Sequence, residues 1–390
     1  MDAAEKHGLS LNWTPQDRAL RERVRSFLAQ HLPADWDAIA RHGPGSREQT
    51  EFSMRFCPEL AQAGLLVPHW PEAYGGVSSS PWEQLILGEE MWAAGEPRGP
   101  QYMNVNWIGP TLMRFGSEAQ KQMHLPAIAQ GKVVWCQGFS EPSAGSDLAA
   151  LRTQAMADGD RYIVNGSKVW TSYAGLADYC FLLARTGSGK AGISILLVPM
   201  DTPGIVVRPI PSLIGMGDIH EVFFQDVVVP QSCQLGEQGQ AWSIITYALN
   251  NERVGIARYA YSLRVLTQMV EQLQREGRFD DPIVQTRAGQ ARAACEAARM
   301  LVYRVVDLRS RQALPSGEAS QARVAVIAAD HAVADFATEF LPDTLCGQEF
   351  AIHLAHHERA IAAGIASGAA EIQLNLVAHQ YLQLPREARL

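Results

Sequence analysis

The chain has 390 residues, of which 47% are hydrophobic and 19% are charged, and its formal net charge is -8. This composition is typical of a globular protein with a large interior, and the length predicts two or three packed layers or domains rather than one simple core. The acidic balance, with no block of Lys or Arg, argues against nucleic acid or an anionic membrane as a partner and favours a small molecule or another protein.

The N-terminal stretch "MDAAEKHGLSLNW" has neither a basic region nor an apolar core of the kind that targeting peptides carry. No apolar run is long enough to span a bilayer, so we expect a cytoplasmic protein. The cysteines lack CxxC spacing, which predicts buried reduced thiols rather than disulfides or a zinc site. They are Cys57, Cys136, Cys180, Cys233, Cys295 and Cys346.

The first third of the chain has helical periodicity. A Thr-Pro pair followed by an apolar stripe and a proline stop predicts one helix in "SLNWTPQDRALRERVRSFLAQHLP". Further helical periods occur in "EFSMRFCPELAQAGLL", "SPWEQLILGEEMWAAG" and "SEAQKQMHLPAIAQG", separated by Gly/Pro breaks.

From about residue 133 the period changes to short β-branched and aromatic runs. Six such runs, from "VVWCQGFS" to "EVFFQDVVVP", are bounded by turn sequences and predict a small antiparallel β-domain or barrel. After "GEQGQAW" long helical periods return over about 238–275, 281–313, 317–341 and 351–382, which predicts an antiparallel bundle. The expected fold is α+β, mainly α: a helical domain over 1–132, a β-domain over 133–234 and a four-helix bundle over 235–390.

Two motifs have plain structural interpretations. "RTGSGKAGIS" lacks the first glycine of a phosphate-binding loop, and Ala191 stands where Ser or Thr would bind magnesium, so we expect a polar hairpin turn. "HLAHHERA" places His353 and His357 four residues apart, but there is no HExxH pattern and no second ligand cluster. We therefore predict a bundle surface or interface pair and no metal.

Two segments of the β-region carry stronger chemical information. "FSEPSAGSDLAALRT" (139–153) is a loop of small residues, hydroxyls and backbone N–H groups that suits a phosphate or a polar ring edge. "GSKVWTSYA" (166–174) ends a strand with Trp170, Thr171 and Ser172. An indole and two hydroxyls suit a flat heteroaromatic cofactor, which needs a stacking wall and hydrogen bonds at its edge.

The stretch "YALNNERVGIARYAY" (247–261) places a carboxylate on an apolar helical stripe. Helical spacing puts Glu252 between Leu249 and Ile256, on a line that also includes Ile245 and Ala260. An inward carboxylate is costly unless it is paired, neutralised or faces a polar cavity. Glu252 is therefore a candidate functional residue.

Together, "WCQGFSEPSAGSDLA", "KVWTS", "EVFFQDVVVP" and "EIQLNLVAHQYLQLPRE" resemble the acyl-CoA dehydrogenase family of flavoproteins, over nearly the whole chain. The sequence looks most like the bacterial branch that acts on bulky, dicarboxylic or steroid side-chain acyl-CoA thioesters. The resemblance implies FAD as cofactor, an acyl-CoA substrate, an electron-transferring flavoprotein as partner and a tetramer.

The resemblance also implies roles for individual residues. Phe139, Ser140 and Ser146 match positions that contact the isoalloxazine and pyrophosphate of FAD, and Trp170, Thr171 and Ser172 match the segment that walls the ring and bonds near its N5 atom. Ser146 further matches a position close to the bound acyl-CoA, and Arg253 matches an arginine beside the acyl site. A backbone N–H at the position of Ser367 is implied to bind the thioester carbonyl.

The family removes a proton from the substrate α-carbon with a carboxylate, while the β-hydrogen leaves as hydride to the flavin. Most relatives carry this base in the C-terminal tail, where "GIASGAAEIQ" has Ser367, and a hydroxyl cannot replace it. The isovaleryl-CoA and long-chain types carry the base instead in a pattern like "LxxER", and "LNNER" places Glu252 there. The resemblance therefore implies Glu252 as the base.

The tail departs from the family pattern near the cofactor. The usual "GTSEIQRN" is "GAAEIQLN", so Ala369 and Ala370 lack hydroxyls and Leu374 replaces an arginine. "REGRFDD" does not match the segment that reaches the FAD of a neighbouring subunit. The altered tail motivates one alternative, a hetero-oligomer whose FAD site is completed by a partner chain. The missing tail glutamate at Ser367 motivates another, a flavin oxidase or monooxygenase on the same fold, although the retained "LNNER" argues against it.

Overall fold

The computed structural model describes residues 13–41, 43, 46–213, 215–253, 257–313, 315, 317–346, 351–366 and 368–385, and it describes no side chains for 215–218, 250–253 and 351. The chain forms two compact units. The first contains residues 1–41, 78–95 and 253–390, and the second contains residues 42–77 and 96–252. Helices precede and follow a single sheet, so the predicted fold class is confirmed. The domain bounds after residues 132 and 234 stay predictions.

The helices of the described residues follow the predicted order. They are α1 (Pro15–His31), α2 (Trp36–Ala40), α3 (Arg47–Gln62), α4 (Pro81–Ala93), α5 (Gln101–Met103), α6 (Gly109–Phe115), α7 (Glu118–Ala129), α8 (Ala241–Arg253), α9 (Tyr259–Arg275), α10 (Pro282–Ser310), α11 (Gly317–Phe340), α12 (Ala351–Ala362) and α13 (Ala370–Leu376). Single π-helical turns at Asn104–Ile108 and Val377–Tyr381 adjoin α6 and α13.

Local sequence explains where several helices begin. Thr14 accepts a hydrogen bond from the backbone of Asp17, whose side chain bonds back to the Thr14 backbone, and Pro15 occupies the first turn of α1. The same reciprocal cap, made by Ser80 and Ser117, begins α4 and α7. Such caps satisfy backbone N–H groups that have no partner inside the helix.

Two of the predicted long helices are interrupted. The stretch 238–275 contains α8 and α9, and i to i+3 hydrogen bonding starts again at Ala257, whose carbonyl accepts from the Ala260 N–H. The stretch 351–382 divides into α12 and α13, with Gly364 accepting from the Ala370 N–H and Gly368 at φ +89°. Gly368 directly precedes Ala369, the N-cap residue of α13, and it adopts the left-handed conformation readily because it has no Cβ.

A polar network lies inside the core of the first unit, among α9, α11 and α12. The Ser262 hydroxyl donates to Asp330 Oδ1 at 2.7 Å, and His356 Nε2 lies 3.1 Å from the same hydroxyl oxygen. Because the hydroxyl has one hydrogen, the His356 ring must donate to Ser262 from Nε2. Arg258 Nε pairs with Asp330 Oδ2 at 3.1 Å, and Ser262, Asp330 and His356 are all buried.

The sheet belongs to the second unit. Its strands are β1 (Trp135–Gly138), β2 (Gln154–Asp158), β3 (Arg161–Ser172), β4 (Tyr179–Arg185), β5 (Ile193–Pro199), β6 (Ile205–Ser212), β7 (Gly215–Pro230) and β8 (Gln234–Leu235). The order is β6-β7-β3-β2-β4-β5-β8, with β1 paired to β4 in parallel and most other pairs antiparallel. β4 and β5 form the hairpin predicted around "RTGSGKAGIS".

Some elements were not predicted from the sequence. Strand β6 contains Pro209 and Pro211, which lower strand propensity, but it lies at the sheet edge where a missing N–H is tolerated. The helical stretch from α5 to α6 contains Gly109, where a Cβ would lie 2.1 Å from the Trp70 ring. Glycine at this position is therefore explained by close packing. Among the described residues no helix is both long and apolar enough to cross a bilayer.

Candidate functional site

The structure brings together the two segments predicted to contact a flat cofactor. Phe139 and Ser140 follow β1, and Trp170 lies near the end of β3. The Val169 backbone N–H donates to the Ser140 carbonyl at 3.0 Å, and Lys168 Nζ donates to the Phe139 carbonyl at 3.1 Å. The loop and the strand end, which are separated by about thirty residues of sequence, therefore lie side by side.

A buried ion pair fixes the start and end of this loop. Lys168 Nζ lies 2.7 Å from Glu141 Oε1, and the Lys168 side chain is fully buried. The other bonds of the Glu141 carboxylate come from the backbone N–H groups of Arg152, at 2.6 Å, and Thr153, at 2.9 Å. Glu141 and Ala144 also exchange backbone hydrogen bonds, which closes a tight turn. The residues 139–153 are thus tied back to β3.

Burial and ion pairing shift the pKa of each of the two side chains in opposite directions. Burial lowers the pKa of Lys168, although the Glu141 carboxylate opposes this change. Burial raises the pKa of Glu141, but the charge of Lys168 and the bonds from Lys168, Thr153 and Arg152 outweigh it, so the pKa lies below its ordinary value. Glu141 is therefore ionised at neutral pH.

The strand end presents an accessible surface beside the loop. Trp170 is 60% exposed and has φ +60°, a left-handed conformation that is uncommon for a bulky residue. Ser172 is half-buried, and Ser146 is exposed on the loop. Backbone strain of this kind is frequent at functional sites. The geometry offers an open indole face and two hydroxyl groups that solvent can reach.

Thr171 differs from its two neighbours because its side chain is fully buried. Its hydroxyl oxygen has no hydrogen-bond partner in the described part of the chain. The Thr171 carbonyl lies 3.2 Å from Nδ1 of the buried His220, whose pKa is lowered by burial. Across the same ring, a Cβ on Gly175 would lie 2.7 Å from His220 Nε2, so the following turn packs closely here.

For the remaining predicted site residues, the structure describes either the backbone alone or nothing. Glu252 and Arg253 occupy the last two positions of α8, but their side chains are not described, and Ser367 falls between the described stretches. The inward orientation of Glu252 and the roles of all three residues stay predictions.

Helix α8 itself is anchored within the second unit. Ile244, Ile245 and Ala248 are buried, Arg114 stacks over the Tyr247 ring at 4.6 Å, and Lys190 lies over the Trp242 ring at 5.7 Å. Position 252 follows Ala248 by four residues and Ile245 by seven, the spacing of one helical face. The backbone that carries Glu252 is thus fixed at several points.

In the first unit, a buried arginine binds the backbone just before position 367. The Arg323 guanidinium donates to the carbonyl oxygens of Ala363, at 2.7 Å, and Ala366, at 3.1 Å. Arg323 is 5% exposed and comes from α11. The Ala366 carbonyl belongs to the peptide group that also contains the nitrogen of residue 367, so Arg323 binds that peptide directly.

Sequence reasoning did not single out Glu141, Lys168 or Arg323. Glu141 and Lys168 stand inside the two quoted segments, where a charge among small or apolar residues could have been noticed. Arg323 carries no such signal because one arginine in a long helix is ordinary. Its role depends on the chain returning at Ala363 and Ala366.

A cavity of about 620 Å³ lies elsewhere in the second unit. Its walls come from α3, the turn near Tyr74 and α7, and they include Leu125, Lys121 and Lys132. None of the predicted site residues lines it. This cavity therefore contributes nothing to the site built from the loop and β3.

The histidine pair noted in the sequence has mainly buried surroundings. His353 is buried, which lowers its pKa to about 4, and His357 is half-buried. Among the described side chains, no three His, Cys, Asp or Glu residues lie close enough together to bind one metal ion. The cysteines are free thiols, and all are buried except the half-buried Cys233 and the exposed Cys346.

The fold and the site define a class of protein: an α+β enzyme in which a loop and a strand end of the central sheet form the candidate cofactor surface. Three family models match the chain in sequence. They are the acyl-CoA dehydrogenase N-terminal domain over residues 14–132, the middle domain over 136–227 and the C-terminal domain over 239–382. The chain belongs to the acyl-CoA dehydrogenase family, whose members are flavoprotein oxidoreductases of lipid catabolism.

Similar proteins cover nearly the whole chain. Acyl-CoA dehydrogenase IpdE1 of Mycobacterium tuberculosis is 34% identical over 95% of this chain and 98% of its own. The solved structure of the Tcur3481-Tcur3483 steroid acyl-CoA dehydrogenase superposes with a TM-score of 0.88 at 30% identity, covering 97% of this chain and all of that one. The ChsE4-ChsE5 complex from Mycobacterium tuberculosis gives 0.86 at 30% identity with the same coverage.

Proposed function

We propose that this chain is an FAD-dependent dehydrogenase that introduces a double bond between the α- and β-carbons of an acyl-CoA thioester. The observation that carries the proposal is the junction of the 139–140 segment with the end of β3, through the Val169–Ser140 and Lys168–Phe139 hydrogen bonds. Family membership supplies the class of reaction, and this junction is the local geometry that supports a cofactor surface.

The residues at the junction fit a flavin. The exposed Trp170 indole gives a wall for a flat ring, and the Ser172 and Ser146 hydroxyls can bond to its polar atoms. A polar group of the cofactor, bound next to the strand, would give the buried Thr171 hydroxyl the hydrogen-bond partner that it lacks among the described residues. A Cβ on Gly145 would meet nothing within 4 Å, so the loop leaves open space. When bound, FAD supplies the acceptor for the hydride that leaves the β-carbon.

The chain's own residues would handle the proton and the thioester. In our proposal the Glu252 carboxylate accepts the α-proton as the C–H bond breaks, and its pKa would be raised by a dry pocket towards the working pH. The backbone N–H of Ser367 would bond the thioester carbonyl and stabilise the negative charge that develops there. Arg253 would lie beside the acyl group, and Ser146 would contact the bound thioester.

The test replaces the proposed base. Glu252→Gln should bind FAD and acyl-CoA but lose substrate-dependent bleaching of the flavin under anaerobic conditions. Glu271→Gln, on the exposed surface of α9, is the matched control and should bleach like the wild type. Undiminished bleaching by Glu252→Gln would refute the assignment.

A bulky acyl group is the substrate class that we favour. Support comes from the similarity to a protein described as a steroid acyl-CoA dehydrogenase. A panel of short, branched and steroid side-chain acyl-CoA esters, compared by rate of flavin reduction, would test it. Fastest reduction by short straight chains would argue against the bulky class.

An electron-transferring flavoprotein is the proposed acceptor, and hydrogen peroxide formed in step with turnover would favour an oxidase instead.

A second candidate is that this chain is one subunit of a hetero-oligomer whose FAD site is completed by a partner chain. Two solved relatives are named as two-component proteins, and the tail has Ala369, Ala370 and Leu374. Exposed apolar side chains in this region also suit an oligomer surface: Ile365, Leu374, Tyr381, Leu382 and Leu384. A fully flavinated, active homotetramer purified from this chain alone would exclude the second candidate.

A further inference from the structure

We propose that the buried Lys168–Glu141 ion pair is the positioning element that fixes the two FAD-contacting segments to each other and thereby sets the affinity for FAD. The inference rests on the proposed FAD site. Neither residue is assigned to contact the cofactor. Both would act through the loop and the strand that carry Phe139, Ser140 and Trp170.

The hydrogen bonds of the pair join three points of the chain. Lys168, two residues before Trp170, bonds the Phe139 carbonyl and the Glu141 carboxylate. Glu141 in turn accepts from the backbone at Arg152 and Thr153, where the loop ends and β2 is about to begin. One ammonium and one carboxylate therefore fix both ends of the loop against β3. Among the other described hydrogen bonds of the loop, Val169 N–H to the Ser140 carbonyl and the Thr153 hydroxyl to the Ser167 carbonyl reach β3. Arg185 of β4 bonds the carbonyls of Ala149, Leu151 and Thr153, so it holds the end of the loop but not its start at Phe139 and Ser140.

Because both side chains of the pair are buried, losing either one is costly for stability. Lys168 has no exposed surface, and the Glu141 side chain is 5% exposed. Removing one partner of such a pair leaves an uncompensated charge, whereas removing both can be nearly neutral for stability. Stability and loop position can therefore be separated by comparing single and double variants.

The second unit offers a matched control pair. Glu96 and Arg98 are both nearly fully buried, with Arg98 Nε 2.6 Å from Glu96 Oε1 and Nη2 2.8 Å from Oε2. This pair joins residues two apart in sequence, and its described hydrogen bonds reach none of the residues 139–153 or 168–172. Glu96→Gln thus disturbs a buried ion pair of similar exposure without touching the loop.

The experiment compares four proteins with the wild type: Lys168→Met, Glu141→Gln, the double variant Lys168→Met/Glu141→Gln, and Glu96→Gln. FAD is titrated into each apoprotein, and the dissociation constant is read from the quenching of flavin fluorescence. Thermal unfolding and amide hydrogen exchange are measured on the same apoproteins. Exchange at the N–H groups of Arg152 and Thr153 reports the loop directly.

We expect Lys168→Met and Glu141→Gln to weaken FAD binding roughly 10- to 100-fold, the equivalent of one lost charged hydrogen bond. Both should speed exchange at Arg152 and Thr153. The double variant should recover thermal stability, because neither side chain is left as an unpaired buried charge. It should not recover FAD affinity, because the hydrogen bond from residue 168 to the Phe139 carbonyl is still missing. Glu96→Gln should lose stability and keep the wild-type dissociation constant.

Two failures can be told apart. If the wild-type chain itself binds no FAD, the proposed cofactor is wrong, and this is seen before any variant is compared. If the wild type binds FAD but the Lys168 and Glu141 variants bind it equally well, or weaken only as much as Glu96→Gln does, the positioning role is overturned. Recovery of both stability and FAD affinity in the double variant would also overturn it.

Discussion

Replacing Arg323 by Met tests whether the peptide before position 367 is part of the thioester site. Arg323 makes two hydrogen bonds from its guanidinium, to the carbonyls of Ala363 and Ala366, and it is 5% exposed. Hydrogen bonds to a charged group contribute about 1.5–3 kcal/mol each, but the freed carbonyls can regain part of this from water, so we expect a loss of about 3 kcal/mol in unfolding free energy.

The effect on turnover follows from the same contact. If the N–H of residue 367 bonds the thioester carbonyl, loosening its peptide should lower the rate of flavin reduction. Complete removal of such a donor costs about 100- to 1,000-fold, so a displaced donor should cost about 10-fold. FAD content should not change. The assay is anaerobic stopped-flow reduction by acyl-CoA, with thermal unfolding alongside.

Arg359→Met is the matched control. Its Nη2 atom donates to the Ala40 carbonyl at 2.9 Å, away from the residues that lead to position 367. This variant should lose some stability and reduce its flavin at the wild-type rate. If Arg323→Met is destabilised but reduces flavin as fast as Arg359→Met, the reasoning that links this peptide to the thioester is refuted.

Three further variants or conditions test other parts of the molecule. Ser262→Ala should lower the unfolding free energy by about 2 kcal/mol, because Asp330 and His356 each lose a buried partner; a loss below about 0.5 kcal/mol in denaturant titration would contradict this. Lowering the pH should destabilise the protein, because burial lowers the pKa of His356 to about 4 from an ordinary 6.5. The unfolded chain then binds a proton that the native state resists, so the stability present above pH 6.5 is lost as the pH falls towards 4, by about 2 kcal/mol at pH 5. His356→Gln should flatten this dependence when unfolding is measured at several pH values, and an unchanged slope would exclude His356 as a cause. Trp170→Ala should weaken FAD binding with little change in thermal stability, since the indole is 60% exposed; an unchanged dissociation constant would remove Trp170 from the cofactor surface.

Regular elements were predicted from local sequence where the pattern was strong. The apolar period and the Thr-Pro start gave α1, and short β-branched runs gave β3, β4, β5 and β7. Strand β6 was missed because Pro209 and Pro211 count against a strand, and only its place at the sheet edge makes them acceptable. The break between α12 and α13 was missed because a helical period continues through the sequence letters while Gly368 adopts a left-handed backbone.

The candidate site was predictable in part. The segments 139–153 and 166–174 were singled out because small residues, hydroxyls and an indole at strand ends indicate a flat cofactor, and the structure places them side by side. The individual roles of Phe139, Ser140 and Trp170 were implied by the family resemblance and stay predictions. Lys168 was not found, since a lysine in a strand is ordinarily a solvated side chain. Its ammonium finds its partners, the Phe139 carbonyl and the Glu141 carboxylate, in the distant 139–153 loop.

The sequence by itself determined the order of helices and strands, the family and the chemical types available for catalysis. These follow from period, turn residues and motifs, all of which are local. The tertiary structure decided which charges are buried and which distant segments meet, as when Lys168 bonds a carbonyl 29 residues away and Arg323 one 40 residues away. Such contacts form because a buried ammonium or guanidinium must find partners wherever the packed chain supplies them, and local sequence does not specify that place.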